Sequence, residues 1–194
     1  MISTLSKKHS FDPVFDSRNV FRLILEAMSN PARIVNIKEY GDKLFGGDPL
    51  FLAVALTLLD NEVSFNTCEN LPLADEIASL TLAKKANVET ADFVFVREAE
   101  DIRKVTGSVK TGTPEDPHKS ASVFIRNDGE NSYRLTFFGP GVNGRKTTGV
   151  TQTVKDAIAL RDARDCEYPQ GIDLIFISGA GDMFAVPRSI RTEA

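Results

Sequence analysis

The sequence predicts a single α/β domain built on a mixed sheet. Three observations carry that reading. Segments with helical spacing of apolar residues alternate with short apolar strands along the chain. Ile172 to Ile177 is a nearly continuous apolar strand, whereas Asn127-Asp128-Gly129 between two other strands is a hairpin signal. At 194 residues the chain has the size of one domain, and such a chain buries about 70% of its unfolded surface.

The elements follow in order. Residues 1–15 are expected to form an N-terminal arm, and residues 16–194 the domain. The first helix is predicted over Asp16 to Ser29. There Val20, Leu23, Ile24, Ala27 and Met28 fall at i, i+3, i+4, i+7 and i+8. Phe21 and Leu25 widen that stripe and predict a well-buried helix. Asn30 precedes Pro31, is pushed out of the α region, and ends it. Ile34, Val35 and Ile37 read as a strand, and Tyr40 to Asp48 as a turn-rich loop. Pro49 suits a first helical turn, and Phe51 to Leu59 is apolar almost all round, which predicts a central helix.

Asp60-Asn61 stops that helix, and Val63-Ser64-Phe65 is a short strand. Asn70 and Pro72 start a helix with Leu73, Ile77 and Leu80 inward, running to about Lys85. Asp92 to Val96 is a strand, and Glu98 to Val105 a short amphipathic helix. Gly107 to Ser120 is a loop. Ser122 to Arg126 and Tyr133 to Phe138 form the expected hairpin, followed by a second glycine-rich loop, Gly139 to Gly149. A helix over Thr153 to Asp165 places Val154, Ala157, Ile158 and Arg161 along one side. The strand Ile172 to Ile177 turns at Gly179 to Asp182 and returns through Met183 to Val186.

Composition excludes several function classes. Apolar residues make up 42% and charged residues 26%, which argues against disorder, collagen and coiled coil. The net charge of −4 offers no basic excess for nucleic acid. Cys68 and Cys166 are isolated, as are His9 and His118, so neither a zinc site nor a disulfide framework is expected. Free thiols suit a reducing cytosol. No secretory leader is visible, and the longest uncharged apolar run, Pro49 to Leu59, is too short to span a bilayer. The expectation is a cytoplasmic protein with no metal, nucleic-acid or membrane partner.

Some motifs tempt. Gly139-Pro140-Gly141-Val142-Asn143-Gly144 matches GxGxxG after a strand, but no helix opens within it. Gly139 and Gly144 have P-loop spacing, yet Arg145 stands where the lysine belongs and Lys146-Thr147 is shifted by one. Ser108 and Ser178 lack the G-x-S-x-G elbow. Glu115-Asp116-Pro117-His118 reads as a stiff exposed turn rather than a catalytic set. Lys110 and Lys146 carry no Schiff-base signature. Asp173 opens a very apolar strand and needs a partner there, for which Arg188 is a candidate.

Six segments together resemble the PhnH family. They are Phe21-Arg22 through Ala27-Met28-Ser29-Asn30-Pro31, Leu56 to Asp60, and Thr111-Gly112-Thr113 through Pro117. The others are Leu135 with Gly139 to Val142, Pro169 to Ile175, and Ala185-Val186-Pro187-Arg188-Ser189. They span residues 16 to 190 in the family's order. Ala32 replaces the family's glycine after Pro31, which puts a positive-φ turn there in doubt, and Ser189 replaces a threonine.

The resemblance implies a three-layer α/β/α fold with a mixed sheet, like the large domain of pyridoxal-phosphate-dependent transferases but without that cofactor. It implies a homodimer that joins PhnG, PhnI and PhnJ in the carbon–phosphorus lyase complex of phosphonate catabolism. There it would support ATP-dependent formation of ribose 1-alkylphosphonate 5-triphosphate without independent catalysis. The alternative is a ligand-binding or catalytic subunit with a remnant transferase cleft. Its anion-binding set would be Thr111, Gly112, Thr113, Arg145, Lys146 and Arg188. Arg22, Ser29, Pro31, Asp60, Gly139, Gly141, Asp173 and Pro187 are expected as structural or family positions.

Overall fold

The structure, a computed structural model, describes residues 9–193. Most of the expected arm, residues 1–8, lies outside the described residues. Its last residues dock on the body: Ser10 N–H donates to Lys43 O, and Phe45 N–H donates to His9 Nδ1.

Helix α1 (Phe15–Ser29) starts where Asp12 Oδ1 accepts the Val14 and Phe15 amides. Val20, Ile24 and Ala27 face the core. Phe21 and Leu25 do not, contrary to the expected wide stripe: they are 49% and 53% exposed. Each lies one residue, about 100°, past a core position, and the sheet covers only the narrower stripe. Strand β1 (Val35–Asn36) is shorter than expected, and a single-turn helix, α2 (Lys38–Gly41), occupies part of the predicted loop. Helix α3 (Pro49–Leu58) is capped by Asp48, whose carboxylate accepts the Phe51 amide, and Leu50 to Ala55 are all buried. This is the expected central helix.

Strand β2 (Ser64–Asn66) leads into α4 (Leu71–Thr81), capped by Asn70. Leu82 takes a left-handed conformation, φ 63°, and ends the helix. The predicted extension to Lys85 is therefore replaced by β3 (Lys84–Lys85). Strand β4 (Phe93–Val96), helix α5 (Asp101–Ser108), a 3₁₀ turn at Pro117–Lys119 and β5 (Ser122–Arg126) follow. Next come β6 (Tyr133–Phe138), β7 (Arg145–Val150), α6 (Gln152–Asp162), β8 (Asp173–Ile177), β9 (Asp182–Val186) and β10 (Arg191–Glu193).

A seven-stranded sheet runs β1-β9-β8-β5-β4-β2-β3. Strands β3, β2, β4, β5 and β8 are parallel, and β9 alone is reversed, pairing antiparallel with both β8 and β1. The predicted mixed sheet is present. The predicted hairpin between β5 and β6 is not. Both edges of β5 are taken by β4 and β8, and Asn127 N–H donates to Ile177 O, which carries the chain on beside β8. Strand β6 pairs instead with β7 and β10 in a separate antiparallel sheet. The glycine-rich loop is thus shorter than expected: Arg145 to Val150 is a strand, and only residues 139–144 form the turn.

The sheet separates two cores. Phe95, Phe124, Ile175 and Ile177 face α1, α3 and α4. Val94, Val96, Val123, Ile125, Leu174 and Phe176 face α5, α6 and the small sheet. Strand β8, buried on both faces, needs its unbroken apolar run.

Candidate functional site

The residues singled out from sequence gather at two junctions, not at one. The first lies where β8 begins. Asp173, 8% exposed, accepts the Arg188 amide at 2.8 Å, Nε at 3.3 Å and Nη2 at 2.5 Å. The expected Asp173–Arg188 pair is therefore present. Arg188 Nη1 also donates to Pro117 O at 2.7 Å. The Thr111-Gly112-Thr113 loop is tied to the same place: Gly171 N–H donates to Thr111 O, and Gln170 Nε2 to Gly112 O. Asp116 N–H donates to the Thr113 hydroxyl. Gly112 has φ +75° and lies so close to the Asp116 and Pro117 carbonyls that a Cβ there would meet them below 3 Å. Three family segments, distant in sequence, lock one another here.

The second junction joins the end of α1 to the β6–β7 turn. Gly141, φ +82°, sits against α1, and a Cβ would come 2.4 Å from Ser29 O and 2.9 Å from Pro31 Cδ. Lys146 Nζ donates to Ala32 O at 2.9 Å. Arg145 pairs with Glu193 and lies over the Phe138 ring. The junction opens into a cleft of about 290 Å³ that presents Asn30, Arg33, Asn143, Arg145 and Lys146. Ala32 keeps the positive φ, 60°, that its methyl disfavours.

The remaining positions are placed as follows. Arg22 is exposed on α1. Asp60 accepts the Glu62 amide. Gly139 has φ +126° against Ser189 O, and Pro187 O accepts Arg161 Nη1. His118 is exposed, with Nε2 3.9 Å from Asp116.

Arg161, placed by the sequence along one side of α6 with Val154, Ala157 and Ile158, has no role assigned to it there. It is buried and donates to Val186 O, Pro187 O and Ile190 O, fixing the segment that carries Arg188. Its signal was an arginine within the apolar side of the α6 helix.

Lys110 is not a free amine. It pairs at 2.5 Å with Asp92, which also accepts the Ser64 amide and hydroxyl. Burial pushes the Asp92 carboxyl up, but Lys110 and Ser64 push it down further, so it titrates below the ordinary carboxylate range. Asp16 behaves alike: burial opposes, and Lys43 and the Asp12 amide prevail. Both contribute stability that is present above the ordinary carboxylate range, about pH 4, and lost as pH falls through their lower folded values. We expect Asp92→Asn to be less stable than the parent near neutrality and to lose less on acidification. Urea midpoints at the two pH values check this, and parallel curves would refute it. The Cys68 thiol is pushed up to about 12 by burial and then by the Asp101 carboxylate, which makes it a poor nucleophile.

Among the described residues no group of three or more His, Cys, Asp or Glu is placed to hold a metal ion. No described helix is long and apolar enough to cross a membrane. A family model described as the bacterial phosphonate metabolism protein PhnH matches residues 9–193. No curated relative matches the chain. That match spans both junctions and every segment they bring together, so the chain belongs to the PhnH family and has its role in phosphonate metabolism.

Proposed function

We propose that the chain is a subunit of the carbon–phosphorus lyase complex and supports ATP-dependent formation of ribose 1-alkylphosphonate 5-triphosphate, with no turnover of its own. The family match over residues 9–193 carries this reading. The geometry supports it, because the family segments are engaged in holding loops and helix ends together. The reading includes a homodimer, assembly with PhnG, PhnI and PhnJ, a cytoplasmic location, and likeness to the large domain of pyridoxal-phosphate-dependent transferases. The mixed sheet with helices against both faces is compatible with that likeness.

Helix α1 offers the partner surface. Val14 and Phe15 at its start are 67% and 66% exposed, and Phe21 and Leu25 continue the apolar exposure. Co-expression with the other subunits should give a stoichiometric complex. Replacing Phe21 and Leu25 by Glu should weaken capture about 10-fold or more, with an unchanged melting temperature. A monodisperse chain that co-purifies with none of them would overturn the assembly role. Adenine release from ATP and methylphosphonate by the isolated chain, at the rate of the full complex, would overturn the non-catalytic one.

A second reading, a ligand-binding subunit, is favoured by the cationic cleft of Arg33, Arg145 and Lys146. There Lys146 is bonded to a neutral carbonyl. Loss of phosphonate affinity in Lys146→Ala would support it.

A further inference from the structure

The sheet has a topological switch point. From β2 the chain crosses to β3 through α4, whose Leu73, Ala74 and Ile77 belong to one core. From β4 it crosses the opposite way to β5 through α5, whose Ile102 and Val105 belong to the other. In open α/β sheets ligands bind outside the carboxyl ends of the strands that flank such a reversal. A cleft of about 250 Å³ opens there, past the ends of β2 and β4, and a second of about 330 Å³ adjoins it past the ends of β4 and β5; they share Arg97 and Glu98.

Two arginines stand side by side at that edge. The pairing of Val96 with Ile125 brings Arg97, just past β4, beside Arg126, the last residue of β5. Both reach the turn that precedes α3. Arg97 Nη1 donates to Gly47 O at 3.0 Å, and Arg126 Nη2 to Asp48 Oδ2 at 3.0 Å. Asp48 is fully buried. On the protein side the two guanidinium groups are therefore held firmly. Toward the clefts they are held loosely. Glu98 lies 3.6 Å from Arg97 Nε and Asp128 3.5 Å from Arg126 Nε, both mostly exposed carboxylates beyond good hydrogen-bond distance. Arg126 Nη1 is buried with no acceptor among the described residues. A buried donor without an acceptor calls for one.

We propose that Arg97 and Arg126 form the anion-recognising floor of a small-molecule site at this switch point, and that its ligand presents a tetrahedral phosphorus oxyanion. Entry of the oxyanion displaces the Glu98 carboxylate, competes for Arg126 with Asp128, whose Oδ1 is held by the Gly179 amide at 2.5 Å, and supplies acceptors to the forked donors. Cys68 and Glu69, consecutive non-glycine residues at φ 50° and 65°, form the opposite lip. The choice of a phosphonate among oxyanions rests on the family's role; the site itself rests on the arginine geometry alone.

Titration of the ¹⁵N-labelled full chain with methylphosphonate, and separately with inorganic phosphate, tests this. Saturable shifts at Arg97, Arg126 and Thr67 are expected in the millimolar range or below. Arg97→Ala, at a half-exposed position that spares the fold, should weaken binding about 10-fold or more, and Asp128→Asn should strengthen it. Arg33→Ala should change nothing. Phosphate bound but methylphosphonate refused would overturn the phosphonate assignment and keep the anion site. Shifts confined to Arg145 and Lys146, or affinity unmoved by Arg97→Ala, would overturn the site. Absence of saturable binding by either anion would do the same, and complex formation, measured separately, would still report on the subunit role.

Discussion

Gly141→Ala lowers stability by roughly 2–5 kcal/mol, the sum of a left-handed backbone penalty and an overpacked contact. The left-handed conformation at φ +82° costs any residue with a Cβ. The new methyl also meets Ser29 O at 2.4 Å, and that carbonyl is the end of α1, not a flexible side chain. Either the β6–β7 turn or the helix end must retreat. Gly144 in the same turn provides the control. Its φ is +69°, but nothing lies within 4 Å of a Cβ there. Gly144→Ala should cost only the backbone part, about 1–2 kcal/mol. Urea unfolding midpoints at equal slope give both values. Equal losses in the two variants would show that the contact with α1 contributes nothing.

That pair of glycines also explains what the sequence could show. The strand and helix periods were legible wherever one core decided them, as in α3 and β8, both apolar because both are enclosed. The width of the α1 stripe was not. Phe21 and Leu25 read as core because they are apolar, and only the sheet's limited reach leaves them outside. The hairpin signal at Asn127-Asp128-Gly129 was locally sound but was outcompeted by β4 and β8 on both edges of β5. GxGxxG fits a nucleotide loop and a tight hairpin turn equally well, because both need glycine for backbone conformation and close approach. The Asp173–Arg188 pair was legible, since an acid in an apolar strand must find a cation. Arg97 beside Arg126 was not, because only strand register makes residues so far apart in sequence neighbours.

Asp173→Ala is expected to cost about 3 kcal/mol, the low end for breaking a buried ion pair, because the Arg188 side chain is 19% exposed. The loss has three parts: an unpaired guanidinium, an unpaired Arg188 amide, and release of the loop that Arg188 holds through Pro117 O. Arg188→Ala should cost less, since the Arg188 backbone amide still serves the carboxylate. Combining Asp173→Leu with Arg188→Met removes both charges and should recover most of the loss, because an apolar pair of similar volume avoids the desolvation that a lone charge suffers. With Asp173→Leu and Arg188→Met also measured singly, a double-mutant cycle then separates pair from loop. If the pair acts through the loop, amide exchange at Thr113 and Lys119, whose N–H groups bond Asp116 O, should accelerate in both single variants and stay fast in the double one. Slow exchange in all three would confine the pair to the start of β8 and leave the Thr111 loop standing on its own bonds. Fast exchange with intact global stability would make residues 113–119 of the loop a separately unfolding unit, whose closed form depends on the arginine that reaches Pro117 O from the last family segment even though Gly171 and Gln170 still hold Thr111 and Gly112.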